Sequence, residues 1–143
     1  MRIALEEAQK AALRDEVPIG AVIVNNGEIL TAHGNRTREL NDPTAHAETL
    51  CIRDACQKLA AQRIPGCDLY VTLEPCTMCA AAIAFARIRT LYIGALDEKG
   101  GGIYHGSKFF QQTTCNHKKI DIQYGLLANE SQHILRSFFA TKR

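Results

Sequence analysis

Four residues in two short runs carry the chemistry this sequence can do. His46 and Glu48 lie in Pro43-Thr44-Ala45-His46-Ala47-Glu48, and Cys76 and Cys79 lie in Leu73-Glu74-Pro75-Cys76-Thr77-Met78-Cys79. One imidazole and two thiolates suit a catalytic zinc, because such a site keeps three protein ligands and leaves the fourth position to water. Two thiolates offset the charge of the metal, and zinc brings the pKa of its bound water to about 7. A hydroxide made in this way can attack an electron-poor carbon, and a carrier must then move the water's proton to the leaving group. Glu48 is the candidate, since a carboxylate in a closed, partly dry pocket has the raised pKa that a proton shuttle needs.

The spacings constrain the geometry. Cys76 and Cys79 are three apart, so on a helix they share a face. Pro75 just before them suits a helix start, where the local field also lowers a cysteine's pKa. His46 and Glu48 are two apart and would point in roughly opposite directions along a regular helix. Both reach one metal only if the site lies off the end of a helix, near its first turn, and Asp42, Pro43 and Thr44 are start signals placed there. Two helix N-termini are therefore expected to converge on one Zn2+ per chain. A lone Cys-x-x-Cys also suits a redox pair or half of a structural zinc knuckle. The first leaves His46 and Glu48 idle, and the second lacks its other Cys-x-x-Cys.

Bulk properties set outer bounds. The 143 residues, 46% hydrophobic and 22% charged, suit one globular domain, residues 1–143, with a real core. No apolar run approaches the roughly 20 residues that span a membrane, and Met1 to Lys10 lacks the apolar centre of a signal peptide. A cytoplasmic location is expected. Without a secretory signal the six cysteines do not read as disulfides; Cys51, Cys56, Cys67 and Cys115 read as small apolar residues. A net charge of +2 announces no polyanion partner, but from Lys99 to Lys119 there is no acidic residue, while Lys99, Lys108, Lys118 and Lys119 are present, and the chain ends Thr141-Lys142-Arg143. Such stretches are usually solvated loops and tails; beside an active site they could hold phosphates.

The elements that must position these groups follow from periodicity. Ile3 to Leu13 has helical spacing and ends before Pro18. Ile19 to Val24 is a strand buried on both faces, Asn25-Asn26-Gly27 is a hairpin signal, and Glu28 to His33 returns antiparallel. Gly34 to Thr44 is a polar loop that carries Asn35. A helix is expected over about 46–61, ended by Ile64-Pro65-Gly66, then a strand over Asp68 to Leu73. The helix from Thr77 to Arg87 is rich in alanine, which suits packing on the sheet and a dimer contact equally. Thr90 to Leu96 is a strand, Asp97 to His117 a long loop of the kind that is often functional, Ile120 to Tyr124 a short strand, and Asn129 to Phe139 a closing helix. Of its Phe138-Phe139 pair, one ring could stack a base. Strands alternating with helices make a three-layer α/β domain.

His46-Ala47-Glu48 and Pro75-Cys76-Thr77-Met78-Cys79 match the H-x-E and P-C-x-x-C pattern of zinc deaminases that act on nucleobases, and the chain resembles the cytidine deaminase superfamily. The longer runs Val17-Pro18-Ile19-Gly20-Ala21-Val22, Asp42 to Glu48 and Val71-Thr72-Leu73-Glu74-Pro75-Cys76 resemble the bacterial tRNA-specific adenosine deaminases of the TadA type, over essentially the whole chain. The resemblance implies a three-layer α/β/α cytidine deaminase-like fold with a five-stranded mixed sheet between helices, a homodimer, and conversion of the wobble adenosine in a tRNA anticodon loop to inosine with release of ammonia. It implies His46, Cys76 and Cys79 as zinc ligands, Glu48 as proton shuttle, Asn35 against the flipped base, and Asp97, Lys99, Phe139 and Arg143 near the RNA. The alternative is a deaminase of a free base or nucleoside, of guanine or cytosine type. Asp15 departs from the family, which usually has glycine there, with an expected effect on a helix end, and Gly102 to His117 lies in a stretch that varies within it.

Overall fold

A computed structural model describes residues 1–142 of the chain. The helices are α1 (Arg2–Leu13), α2 (Ala47–Lys58), α3 (Thr77–Ala86) and α4 (Ala128–Ala140), and the strands are β1 (Gly20–Asn25), β2 (Glu28–Gly34), β3 (Cys67–Leu73), β4 (Thr90–Ala95) and β5 (Asp121–Tyr124). The five strands form one sheet in the order β2-β1-β3-β4-β5. β1 runs antiparallel to both β2 and β3, whereas β3, β4 and β5 are parallel, so the sheet is mixed, as expected. The β1–β2 turn has positive φ at both Asn26 (53°) and Gly27 (78°), the condition for a tight hairpin turn that matches strand twist.

Side-chain alternation assigns the two faces of the sheet. Ala21, Ile23, Leu69, Val71, Leu91 and Ile93 meet Ala47, Cys51 and Ala55 of α2 and Ala80 and Ile83 of α3 in one core cluster. α1 and α4 pack together on the other face, against β1 and β4. The alanines of α3 do what small side chains allow: Ala80, Ala84 and Ala86 are buried with Cys79 and Ile83. Its outer side keeps Phe85 72% exposed.

The helix ends have local backbone causes, and only that of α2 departs from the sequence reading by more than one residue. α1 stops at Leu13, well before Pro18, because Asp15 takes the left-handed conformation (φ 61°) and the N–H groups of Asp15 and Glu16 turn back to the carbonyls of Ala12 and Ala11. That is a Schellman ending, and it explains why a glycine suits this position. α2 ends at Lys58 rather than Ala61, closed in the same way by Ala60 (φ 50°), and α3 ends at Ala86 with Arg87 at φ 61°. The expected long loop contains one short 3-10 turn, Phe109–Gln111, whose Phe109 and Phe110 pack against the core. No described helix is long and apolar enough to cross a membrane.

Candidate active site

α2 and α3 each begin at a residue singled out above. His46 is the N-cap of α2 and Cys76 the N-cap of α3, both in extended backbone conformation. Asp42 sets the approach to α2: its Oδ1 accepts from the Thr44 amide (2.8 Å) and hydroxyl (2.7 Å), a side-chain-closed turn. β3 delivers Glu74-Pro75-Cys76 at its carboxyl end, where the Glu74 amide donates to Ala95 O of β4 (2.8 Å). Ligand sites of open α/β sheets gather at such strand ends.

The structure brings His46, Cys76 and Cys79 together. One ligand atom from each lies within 4.8 Å of the others, with His46 Nδ1 3.7 Å from Cys76 Sγ and 3.5 Å from Cys79 Sγ. Glu48 follows in the first turn of α2, 3% exposed. Its Oε2 is buried without a hydrogen-bond partner. Burial pushes the Glu48 carboxyl up to about 7, against the opposing pull of a backbone N–H and of His46. The Cys76 thiol is held down at about 4, chiefly by a hydrogen bond from Cys79 and, despite partial burial, by His46. Cys79 moves the other way, raised by that same bond and by burial, and the hydrogen bond to Cys76 raises His46.

These groups fit a divalent metal. Two adjacent sulfurs do not readily both ionise on their own, because the second charge would stand unscreened beside the first. A dication between them lets both ionise, as thiolate ligation requires. The unpaired Glu48 oxygen is not among the clustered ligand atoms of His46, Cys76 and Cys79. Cys51, by contrast, is pushed up to about 12 by burial and behaves as core.

The other expected residues are placed unevenly. Asn35 is 6% exposed at the end of β2, and the next amide, Arg36, donates to Ala45 O (3.0 Å) beside His46. Asp97 follows β4 and caps its own turn, its Oδ1 accepting from the amides of Lys99 (3.1 Å) and Gly100 (3.0 Å). Lys99 is exposed on that turn. Phe139 lies in the last turn of α4, 45% exposed. That end of α4 is tied to the α1–β1 turn, where Lys142 and Arg38 both pair with Asp15. Arg143 lies outside the described residues.

Two buried carboxylates were not assigned roles from sequence. Glu16, 1% exposed, accepts the amides of Arg38 (2.9 Å) and Glu39 (2.8 Å) and so pins the loop that leads to His46. Glu74 pins the loop after β4. The available signal was an acidic residue at the edge of an apolar run next to proline, in Glu16-Val17-Pro18 and Glu74-Pro75.

Known proteins resemble this chain over its full length. The family model of MafB19-like deaminases matches residues 1–143. The tRNA-specific adenosine deaminase of Agrobacterium fabrum (strain C58) is 61% identical over 143 residues, covering 100% of this chain and 93% of that protein. The enzyme of the same description from Aquifex aeolicus is 43% identical over 143 residues, again 100% of this chain and 93% of its own. A solved structure from studies of A-to-I editing by tRNA:A34 deaminases at the wobble position of transfer RNA superimposes with a TM-score of 0.92 and 61% identity, over 94% of this chain and 97% of that one. The chain belongs to the MafB19-like deaminases and to the tRNA-specific adenosine deaminases.

Proposed function

We propose that this protein is a single-domain enzyme that hydrolyses the wobble adenosine of a tRNA anticodon loop to inosine and ammonia, with one zinc ion held by His46, Cys76 and Cys79. The observation that carries the reading is Glu48, a buried carboxylate with an unpartnered oxygen, set beside a His-Cys-Cys cluster at two converging helix starts. The full-length likeness to tRNA deaminases supports the substrate.

When bound, the zinc supplies Lewis acidity that brings a water within reach of neutral pH. The remaining work belongs to the chain. His46 and the two sulfurs would hold the ion, and the negative charge of the two thiolates would offset its own. Glu48, poised near 7, takes a proton at Oε2, delivers it to the adenine ring nitrogen, and carries the next one to the departing amine. The products are inosine and ammonia, with one water consumed. A base must leave its stack to enter such a pocket, and an unpaired loop base does so at least cost.

Asn35 is assigned to the flipped base, and Asp97, Lys99, Phe139 and Arg143 to the surrounding RNA. A second copy of the chain is the proposed partner for the outer side of α3, where Phe85 stands exposed. The compartment proposed is the cytoplasm, with the tRNA. The test offers an anticodon stem-loop RNA and, separately, guanine, cytosine and their nucleosides. Ammonia from the RNA is expected; ammonia from the free bases alone overturns the reading.

A further inference from the structure

The Glu74 side chain is fully buried, and five hydrogen bonds converge on it. Oε1 accepts three consecutive amides, Ile103 (3.1 Å), Tyr104 (2.8 Å) and His105 (3.1 Å). Oε2 accepts the Asp97 amide (2.9 Å) and the His105 ring N–H (2.9 Å). Its exposure is 0%. Successive amides curled around one anion form a concavity that a carboxylate fills. Such charge-assisted bonds are short and about twice as strong as neutral ones.

The gripped segment lies flush against the start of α3. Gly102 N donates to Pro75 O (2.8 Å), and Thr77 Oγ1 and Ser107 Oγ are 2.8 Å apart. A Cβ on Gly101 would stand 2.4 Å from the Glu74 carboxyl carbon, and one on Gly102 would stand 2.6 Å from Thr77 N. Only glycine lets the loop pass this close. Glu74 therefore joins three things: the end of β4, the segment 97–105, and the run that leads into Cys76.

We propose that Glu74 is a positioning residue for the RNA substrate: its carboxylate fixes the segment from Asp97 to His105 as a preformed wall beside Cys76, so that Asp97 and Lys99 meet RNA in one geometry. This deepens the tRNA-deaminase reading and rests on it for its kinetic consequence. Glu74 itself touches no reacting atom. A wall that is already ordered removes the cost of ordering it at binding, so its loss appears in substrate affinity before it appears in chemistry.

The test uses the full chain loaded with zinc, as wild type, Glu74→Gln and His105→Ala. Glu74→Gln sets an amide N–H against inward-pointing donors; His105→Ala removes one donor and leaves the backbone cradle. In Glu74→Gln, hydrogen exchange at the Asp97 amide rises by about tenfold or more, with the amides of β1 unchanged. KM for an anticodon stem-loop rises by about tenfold, while kcat stays within about threefold and zinc content matches wild type. His105→Ala shifts exchange and KM in the same direction by about threefold, which keeps the test decisive if Glu74→Gln does not fold. Unchanged exchange at Asp97 overturns the clamp. Raised exchange with an unchanged KM overturns its role in positioning substrate. Failure of the wild type on RNA would instead sink the functional reading, with the exchange measurement still deciding the clamp.

Discussion

His46 Nδ1 lies 3.5 Å from the sulfur of Cys79, although 33 positions separate the two residues. Both sit at helix starts, one as the N-cap of α2 and the other in the first turn of α3. The positive ends of two helices thus face one cluster, which favours thiolate. The sheet makes the meeting possible, because α2 and α3 pack on one face and touch each other.

Metal removal tests the cluster. Chelation should abolish deamination and lower Tm, since a ligand that binds only the folded state stabilises by about 2.7 kcal/mol at a hundredfold excess over its Kd. Zinc added back should restore both. Thermal melts with and without chelator give the comparison, and a Tm indifferent to chelator would argue against a bound ion.

Acid stability tests Glu74 apart from catalysis. Burial opposes its charge, but the Asp97 amide, the His105 ring and the amides of Tyr104 and His105 more than offset that, holding its carboxyl below the usual 4.5. A depressed carboxylate stabilises the fold fully above its unfolded value and loses that contribution as pH falls through the folded one. Wild type should therefore lose stability below about pH 4.5 more steeply than Glu74→Gln. Denaturant titrations across that range measure it; parallel curves would contradict the assignment.

Lys99 tests the polyanion surface. RNA affinity should fall as salt rises, and Lys99→Ala should weaken binding and flatten the slope of log K against log salt by about 0.7, the value for one phosphate contact on a single strand. Binding isotherms at several salt concentrations decide this, and an unchanged slope would remove Lys99 from the RNA surface.

Ala60 tests the account of helix ends. It closes α2 at φ 50°, a conformation that costs a residue with a Cβ about 1 kcal/mol relative to glycine. Ala60→Gly should stabilise the protein by about that amount, seen as a raised Tm with unchanged activity; destabilisation would mean that the turn is held otherwise.

The order of elements was legible because burial follows period here: β1 reads as a continuous apolar run, and α1 buries Ala4, Leu5, Ala8 and Ala11. The meeting of His46, Cys76 and Cys79 was legible because the spacing of His46 and Glu48 already required a site beyond a helix end. The end of α2 at Lys58 was not, because Ala60 adopts the left-handed conformation without the glycine that normally announces it. Nor was the work of Glu16 and Glu74 legible. A buried carboxylate is explained only by the amides that come to it, and those are supplied by distant loops whose path periodicity does not give.

Sequencing a set of transcribed tRNAs for inosine after treatment with zinc-loaded wild type and with Glu48→Gln is the most direct measurement. Wild type should convert adenosine at the wobble position and release one ammonia for each inosine formed. Glu48→Gln should bind RNA and retain zinc but lose about a thousandfold or more in turnover, as loss of a general acid–base group implies. Equal conversion by both proteins, or conversion at no wobble adenosine by either, would contradict the account.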